Sequence, residues 1–310
     1  HGLMRQFSEM EQEEKTKKKK AEKSYNVITS RSELNQFLSK IKEDTWLSID
    51  LETTSVKTME AEIVGLSFSI EKDSGIYIPI RHKDKSKQYF GENELEEVIT
   101  LINPVLENHR IPKTGQNVKY DILILNRFGI QVKGIEFDTM IAAHLLQPGS
   151  RSYKLDKLSE EYLSYTMVPI DQLIGTGKTQ ISMAEVGLED ISFYAVEDAD
   201  IALQLTHILK ERLEKENLWE FYLKVELPLI QVLSEMEYRG TYVQKELLDK
   251  LSKEYLKQIE SLVAEIYTLS GTEFNVNSTQ QLAQILFDIL KLPKIRKRST
   301  AEDVLGRLKN

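Results

Sequence analysis

The feature that most restricts the fold of this chain is a change of hydrophobic period near residue 217. Before it, short apolar runs with the period of two that is expected of strands alternate with helical runs. After it, long segments carry apolar residues at the spacing of amphipathic helices, and strand-like runs stop. We therefore predict an α/β domain at 25–216, with a mixed sheet flanked by helices, and an all-helical region at 217–310.

Individual elements follow from the same patterns and from their turn and cap residues. Two alternating runs on either side of a turn predict a hairpin. Asn117 is expected to cap a helix that Gly129 closes. The predicted strands cover residues 25–29, 45–51, 62–71, 75–80 and 111–115. The predicted helices cover residues 30–42, 92–102, 117–128, 139–146, 155–162, 188–216, 218–240, 245–271 and 277–290.

Composition limits the chemistry of the chain. Its 310 residues include no cysteine, which excludes disulfides and leaves oxygen or histidine ligands for a metal, so hard divalent cations are favoured. The net charge of -8, from 41 Lys and Arg against 49 Asp and Glu, argues against a uniformly basic surface for nucleic acid. The sequence shows neither a signal peptide nor a membrane-spanning stretch, and we expect a cytoplasmic protein without membrane contact.

Residues 1–24 carry an acidic block and then a lysine block, around EMEQEEKTKKKK, with little apolar periodicity. We expect a flexible, solvated tail, and the alternative is contact of the lysines with nucleic acid. The first residue is His1 rather than Met, so we expect a processed chain or a segment of a longer one.

The stretch LSIDLETT sets two carboxylates two positions apart in an apolar run. In a strand, Asp50 and Glu52 would point to the same face, opposite the apolar side chains around them. Alone, such a pair is typical of an exposed, solvated strand edge. It becomes a candidate ligand pair if other carboxylates converge on it.

Two helical segments supply further carboxylates beside apolar stripes. In GQNVKYDILILNRFG, Asp121 borders the stripe, although it could be an ordinary acid near a helix N-terminus. In FYAVEDADIALQL, Tyr194 and Asp198 are four apart on one helical face. Asp200 lies about 200° round the helix from Asp198 and cannot join Tyr194. Asp198 could also belong to a solvated acidic cluster with Glu197.

Convergence of several of these acids would require a counter-ion. Three or more carboxylates in one place cannot all stay ionised unaided, because like charges raise one another's pKa. One or two divalent cations remove the repulsion, and carboxylate oxygens suit Mg²⁺ or Mn²⁺, with a substrate phosphate completing the ligand shell. The pattern therefore favours a metal-dependent phosphoryl-transfer site.

The order of these motifs resembles that of a known group of nucleases. DxE, NxxYD and YxxxD follow one another as in the DEDD 3′–5′ exonucleases, in the subclass with tyrosine in the third motif. More closely, YAVEDADIALQL, VELPLIQVLSEMEYRG and EFNVNSTQQLAQILF resemble the bacterial family A DNA polymerases, DNA polymerase I. The resemblance runs from about Tyr25 to about Gly306. It implies an exonuclease domain of ribonuclease H-like fold, followed by the start of a polymerase thumb.

The resemblance also implies a role for each acidic residue. Asp50, Glu52 and Asp198 would hold a first Mg²⁺ or Mn²⁺ ion with its attacking water. Asp50 would bridge to a second ion, which Asp121 would hold through water. Tyr194 would orient the nucleophilic water by a hydrogen bond. These five residues would form the catalytic set of a two-metal-ion phosphodiester hydrolysis.

Contacts with DNA follow from the same resemblance. Asn117 and Tyr120 would lie near the terminal nucleotides, and Val56 would stand where the family usually has a leucine that wedges against the last bases. We therefore expect a proofreading 3′–5′ exonuclease that acts, as a monomer, on a single-stranded DNA 3′ end or a frayed primer terminus. The polymerase active site is expected beyond Asn310, so that this chain would not polymerise.

Two other interpretations remain open. The motifs would also suit an RNA-processing exonuclease of the same superfamily, against which the polymerase-like segment after Glu226 argues. A basic cluster near the end of the chain would suit a DNA-binding module whose acidic site is inert, or would be a solvated turn after Pro293. The cluster comprises Lys294, Arg296, Lys297 and Arg298.

Two further patterns do not predict function. LIGTGKTQ contains Gly177-Lys178-Thr179, the end of a phosphate-binding loop, but Gln172 stands where that loop requires a glycine. The five histidines have no metal-ligand spacing, and we expect them in packing or at the surface.

Overall fold

The structure, a computed structural model, describes residues 23–80, 90 and 93–308. The tail predicted at 1–24 therefore lies outside the described residues except for its last two positions. The chain divides into two compact units, His1–Gly240 and Thr241–Asn310. Among the described residues, no helix is both long enough and apolar enough to cross a membrane.

Within the described residues, the first unit contains a mixed five-stranded sheet. Its strands are β1 (Ser24–Val27), β2 (Leu47–Thr53), β3 (Ile63–Glu71), β4 (Ser74–Pro79) and β5 (Lys113–Thr114). Their order across the sheet is β1-β4-β3-β2-β5. The strands β3 and β4 form the predicted hairpin, β2 runs antiparallel to β3, and β1 and β5 run parallel to β4 and β2. Every predicted strand is present with shifted ends, which confirms the α/β prediction.

Helices cover both faces of this sheet. They are α1 (Arg31–Leu38), α2 (Glu94–Leu106), α3 (Val118–Arg127), α4 (Thr139–Leu146), α5 (Leu155–Leu158), α6 (Ile170–Ile174), α7 (Leu188–Lys215), α8 (Trp219–Phe221) and α9 (Leu227–Arg239). Shorter 3₁₀ turns occupy Gly177–Thr179 and Met183–Glu185, and π-helical turns occupy Ser159–Leu163 and Tyr222–Glu226. The prediction of α4 is confirmed to the residue, because the Asp138 carboxylate caps its first turn.

Strand alternation sorts the side chains of the sheet between two helical layers. Ile49 of β2 lies in a core shared with α1, α2 and α3. Tyr77 of β4 lies on the other face, in a core with Val196 of α7. Asp50 and Glu52 alternate with the apolar residues of β2 and therefore face α7.

The compact units divide later than the boundary predicted after Glu216. Tyr222 is fully buried, its ring lies 5.2 Å from that of Phe137, and its hydroxyl accepts a hydrogen bond from the Asp138 amide at 2.7 Å. Ile230 of α9 is also buried in the core of the first unit. Both α8 and α9 therefore pack with the α/β domain. Amphipathic periodicity shows that a helix face is buried but not against which core.

The regular elements of the second unit are all helical within its described residues, as predicted. It consists of α10 (Lys245–Ser270), α11 (Thr279–Gln284), a π-helical turn (Ile285–Ile289) and α12 (Glu302–Leu308). Ser278 caps α11 by accepting a hydrogen bond from an amide of its first turn at 3.3 Å. In the basic cluster, Arg298 bonds to Asp288 at 2.5 Å and Arg296 lies 3.8 Å from Asp303. Two of its four charges are thus paired with acids of the same unit.

Candidate metal centre

Strand pairing fixes Asp50 and Glu52 near the end of β2. Asp50 lies opposite Ser67 of β3, whose hydroxyl donates to Asp50 Oδ2 at 3.4 Å. Glu52 lies opposite Gly65, and the register shifts directly after it. A Cβ at Gly65 would lie 2.2 Å from the hydroxyl of Tyr77, so only glycine leaves room for that ring. The two carboxylates are thus set side by side on a rigid strand.

The helix α7 brings a third carboxylate to this pair. One carboxylate oxygen from each of Asp50, Glu52 and Asp198 lies within 4.8 Å of the other two. Tyr194, one turn earlier on the same face, donates a hydrogen bond to Asp198. In the part of the chain that the structure describes, these three acids are the one group of His, Cys, Asp or Glu side chains with such spacing.

Asp121 on α3 lies beside this group rather than within it. It is only 6% exposed, and its carboxylate accepts a hydrogen bond from the backbone amide of Leu51. Burial and then the charge of Asp50 raise the pKa of Asp121, and Asp121 in turn contributes to the raised pKa of Glu52. Asp121 is therefore electrostatically coupled to the centre.

Burial raises the pKa of every carboxylate in the centre, and repulsion from neighbouring acids adds to the shift of Glu52, Asp121 and Asp198. Burial raises the pKa of Asp50 to about 7, and the Ser67 hydroxyl opposes the shift. Burial and then the charge of Asp50 hold the pKa values of Glu52 and Asp198 well above their usual range. Removing this repulsion is what a hard divalent cation would do, and carboxylate oxygens are the donors that Mg²⁺ and Mn²⁺ prefer. The residues present therefore fit a divalent metal site.

Asn117 occupies the cap position of α3, as predicted, but the expectation that its side chain caps the helix is wrong. Asn117 adopts a left-handed backbone conformation, with φ of 58°, and its side chain makes no capping hydrogen bond. Asp138 caps the helix instead, since its Oδ2 accepts from the Val118 amide at 2.8 Å while its Oδ1 accepts from two amides of α4. One buried carboxylate thus holds the start of two helices, one of which carries Asp121. Because Asp138 directly precedes α4, the sequence alone identifies it as a cap of that helix. Its hydrogen bond to the start of α3 depends on tertiary packing.

Asp138→Ala should lower the free energy of unfolding by about 2–4 kcal/mol, because it uncaps two helices and leaves buried amides unpaired. Ser30→Ala is the matched control, since Ser30 caps only the exposed start of α1. That variant should lose about 1 kcal/mol. Denaturant unfolding measures both, and equal losses would contradict the double role of Asp138.

Two of the three residues predicted to contact DNA, Val56 and Tyr120, lie in or against one loop. Val56 lies in the loop after β2 and is 90% exposed. Tyr120 of α3 donates to the Ser55 carbonyl of that loop at 2.7 Å, and its hydroxyl lies 2.5 Å from that of Thr53. Asn117 is partly exposed at the start of the same helix. All three thus lie close in sequence to acids of the metal centre.

Two acids next to Asp198 face away from the centre and hold α7 in place. Asp200 is fully buried and accepts a hydrogen bond from Lys23 at 2.9 Å. Glu197, also fully buried, accepts one from the hydroxyl of Tyr165 at 2.5 Å. These contacts fix the rotation of α7 that presents Asp198. Sequence reasoning placed Asp200 on the far side of the helix but gave it no role, because its partners are distant along the chain.

The two remaining patterns noted in the sequence are the Gly177-Lys178-Thr179 stretch and the histidines. Gly177–Thr179 forms a 3₁₀ turn after α6, and no strand of the described residues leads into it. His207 lies against Trp46, and His144 lies against Tyr153. Two of the five histidines lie outside the described residues.

Known families match both parts of the chain. The family described as 3′–5′ exonuclease matches residues 25–214, and that described as DNA polymerase family A matches residues 245–310. DNA polymerase I of Pseudomonas aeruginosa is 32% identical over 299 residues, which cover 93% of this chain and 32% of that protein. DNA polymerase I of Chloroflexus aurantiacus is 37% identical over 263 residues, which cover 84% and 27%. The chain thus spans a third or less of the length of these relatives.

Solved structures share the fold. The POL domain of Pol1 from M. smegmatis, in complex with DNA primer-template and dNTP, has a TM-score of 0.65 at 24% identity, over 91% of this chain and 45% of that one. NrnC of Brucella melitensis, bound to pGG, has a TM-score of 0.53 at 17% identity, over 70% of this chain and 94% of that one. With the family match, these likenesses confirm the predicted ribonuclease H-like exonuclease fold.

The exonuclease match covers most of the described first unit and includes all four acids of the metal centre. The polymerase match lies within the second unit. The chain therefore belongs to the 3′–5′ exonuclease family, in the form found in bacterial DNA polymerase I.

Proposed function

We propose that this chain is a metal-dependent exonuclease that removes nucleotides from the 3′ end of DNA. The observation that carries the proposal is the convergence of Asp50, Glu52 and Asp198 within 4.8 Å, with Asp121 beside them, in a domain of the 3′–5′ exonuclease family. The relatives named DNA polymerase I support DNA as the substrate and proofreading as the role.

Two divalent ions, Mg²⁺ or Mn²⁺, would complete the centre. Asp50, Glu52 and Asp198 would hold the first, and Asp50 and Asp121 would hold the second. The oxygen-only donor set and the raised pKa values of these acids support this assignment. When bound, such ions supply an activated water and stabilise the charge on the leaving oxygen. The chain itself keeps the four carboxylates within reach of the ions. The register of β2 positions Asp50 and Glu52, the rotation of α7 positions Asp198, and the capped start of α3 positions Asp121.

Tyr194 orients the attacking water. Burial and the charges of Asp198 and Glu52 raise its pKa far above its usual range, so the hydroxyl remains a neutral donor. Tyr194→Phe should lower kcat by about 10- to 100-fold, because it removes one hydrogen bond beside a charged group, with KM for DNA nearly unchanged. Single-turnover kinetics measure the effect. Tyr238→Phe, at an exposed tyrosine of α9, is the control, and an unchanged kcat in Tyr194→Phe would refute the role.

The 3′ end is held by contacts that do not read sequence. Val56 packs against the last bases, and Asn117 and Tyr120 lie along the terminal nucleotides. Apolar and stacking contacts of this kind tolerate every base, so little sequence preference is expected. Mispaired termini separate more readily than paired ones, and this difference favours removal of errors.

The direct test is incubation of the purified chain with single-stranded DNA and Mg²⁺ or Mn²⁺. We expect mononucleotides to be released from the 3′ end, and no release with either ion would overturn the proposal. RNA of the same sequence distinguishes the first alternative, since faster trimming of RNA would indicate an RNA-processing enzyme. Metal titration distinguishes the second. Cation binding that is unaffected in Asp50→Asn and Asp198→Asn would favour an inert DNA-binding module.

A further inference from the structure

The loop between β2 and β3 (residues 54–62, the β2–β3 loop) is closed by its own hydrogen bonds. The Thr54 amide donates to the Glu62 carbonyl at 3.0 Å, and the Glu62 amide donates to the Thr54 hydroxyl at 3.0 Å. Within the loop, the Ala61 amide donates to the Lys57 carbonyl at 2.9 Å. The loop is therefore a compact turn rather than an open chain.

Two side chains of α3 hold this loop by hydrogen bonds to its backbone carbonyls. The Arg127 guanidinium donates to the carbonyls of Thr58 at 2.7 Å and Ala61 at 2.6 Å, while the Tyr120 hydroxyl donates to that of Ser55 at 2.7 Å. Tyr120 and Arg127 are seven residues apart, and hence lie on the same helical face two turns from each other. The bonds from Arg127 are charge-assisted, which makes them the stronger part of this attachment.

Two apolar side chains stand out from the fastened loop. Val56 is 90% exposed and Met59 is 51% exposed. On a mobile loop such side chains could fold back onto the protein and bury their surface, whereas a fixed backbone keeps them in solvent. The loop begins two residues after Glu52, and the helix that fastens it also carries Asp121. The exposed apolar edge is therefore held next to the metal centre.

We propose that Arg127 is a positioning residue that sets the activity of this chain on duplex ends relative to single strands, by bracing the β2–β3 loop so that Met59 joins Val56 in contacting the terminal bases. This inference rests on the proposed exonuclease function. A duplex end must be opened before its last nucleotide reaches the metal centre, and opening costs unpairing and unstacking energy. A fixed apolar edge against the exposed base offsets part of that cost. A single strand has no pair to open and does not need the brace.

A purely structural role of Arg127 predicts something different. If its hydrogen bonds only stabilised the fold, their loss would lower the melting temperature and reduce the rates on both substrates alike. The ratio of the two rates therefore separates positioning from general stabilisation.

The test compares release of the first nucleotide from a single-stranded oligonucleotide and from a duplex with a mispaired 3′ end, under single-turnover conditions with Mg²⁺. Arg127→Ala should lower the duplex rate by about tenfold and leave the single-strand rate within about twofold. Arg127→Lys, which keeps a charged donor, should recover part of the duplex rate. Arg110→Ala is the matched control, since the Arg110 side chain pairs with Glu43 at the surface, and both rates should be unchanged.

Met59→Gln leaves the hydrogen bonds of Arg127 to the loop in place and tests the exposed apolar side chain directly. It can therefore be measured even if Arg127→Ala does not fold. It should lower the duplex rate by several-fold more than the single-strand rate, so that the ratio of the two rates changes in the same direction as in Arg127→Ala. Equal losses on both substrates, or no change on either, would overturn the inference. Failure of the unsubstituted chain to degrade the single strand would overturn the proposed function itself, an outcome distinct from a changed ratio.

Discussion

Asp50→Asn should abolish nucleotide release while making the metal-free chain more stable, a combination that ordinary core substitutions do not give. Asp50 is the acid assigned to both ions, so the single-turnover rate should fall by about a thousandfold or more. The same change removes one negative charge from a cluster of one buried and two partly buried acids, whose oxygens lie within 4.8 Å of one another. We therefore expect the free energy of unfolding without metal to rise by about 1–3 kcal/mol.

Metal addition provides the second half of this experiment. A cation that binds only the folded chain stabilises it by mass action, so Mn²⁺ should raise the melting temperature of the unsubstituted chain. The rise should be much smaller in Asp50→Asn, and a chelator should accordingly lower its melting temperature less. Asp249→Asn, at an exposed position of α10, is the control and should behave as the unsubstituted chain. Retained activity, or an equal Mn²⁺ response, in Asp50→Asn would contradict the assignment.

The stability of the metal-free chain should fall as pH rises from about 4 to about 7, which is unusual for a contribution from carboxylates. Burial raises the pKa of Asp50 from 3.8 to about 7 on folding. Between these values the folded state binds more protons than the unfolded state, so the slope of unfolding free energy with pH is negative. The stabilisation that protonated Asp50 provides is fully present below the pKa of Asp50 in the unfolded state. It is lost as pH rises through the pKa of Asp50 in the folded state. The pKa values of Glu52 and Asp198 are raised in the same direction.

Denaturant unfolding in chelator at pH values of about 5 and about 7.5 measures this contribution. The difference between Asp50→Asn and the unsubstituted chain should grow with pH, by roughly 1–3 kcal/mol across the window. Saturating Mg²⁺ or Mn²⁺ should remove most of the effect, because a bound cation stabilises the ionised acids. A difference that is independent of pH would contradict the raised pKa of Asp50.

The orientation of the acidic residues could be predicted from the sequence because it depends on periods within single elements. Strand alternation puts Asp50 and Glu52 on one face, and four-residue spacing puts Tyr194 beside Asp198. Their convergence could not be derived from these periods, since it requires β2 and α7 to pack together. The resemblance to known exonucleases supplied that step.

Features that depend on contacts between elements could not be read from the sequence. Asp138 caps α3 although it lies twenty residues further along the chain, and the Asn117 side chain, which the local sequence favours as the cap, makes no capping hydrogen bond. Tyr222 packs with the first unit although its helical period equally suited the second region. Arg127 bonds to backbone carbonyls of a loop, and such acceptors leave no mark on the sequence. In each case tertiary packing selects one partner among many that the local sequence allows.

A crystal structure of the chain soaked with Mn²⁺, with anomalous data, tests the central claim most directly. Two peaks roughly 3.5–4 Å apart are expected in the centre. One should be ligated by Asp50, Glu52 and Asp198, and the other by Asp50 with Asp121 nearby. Absence of Mn²⁺ from these four carboxylates, or ions bound only elsewhere, would contradict the assignment of this centre as the site of DNA hydrolysis.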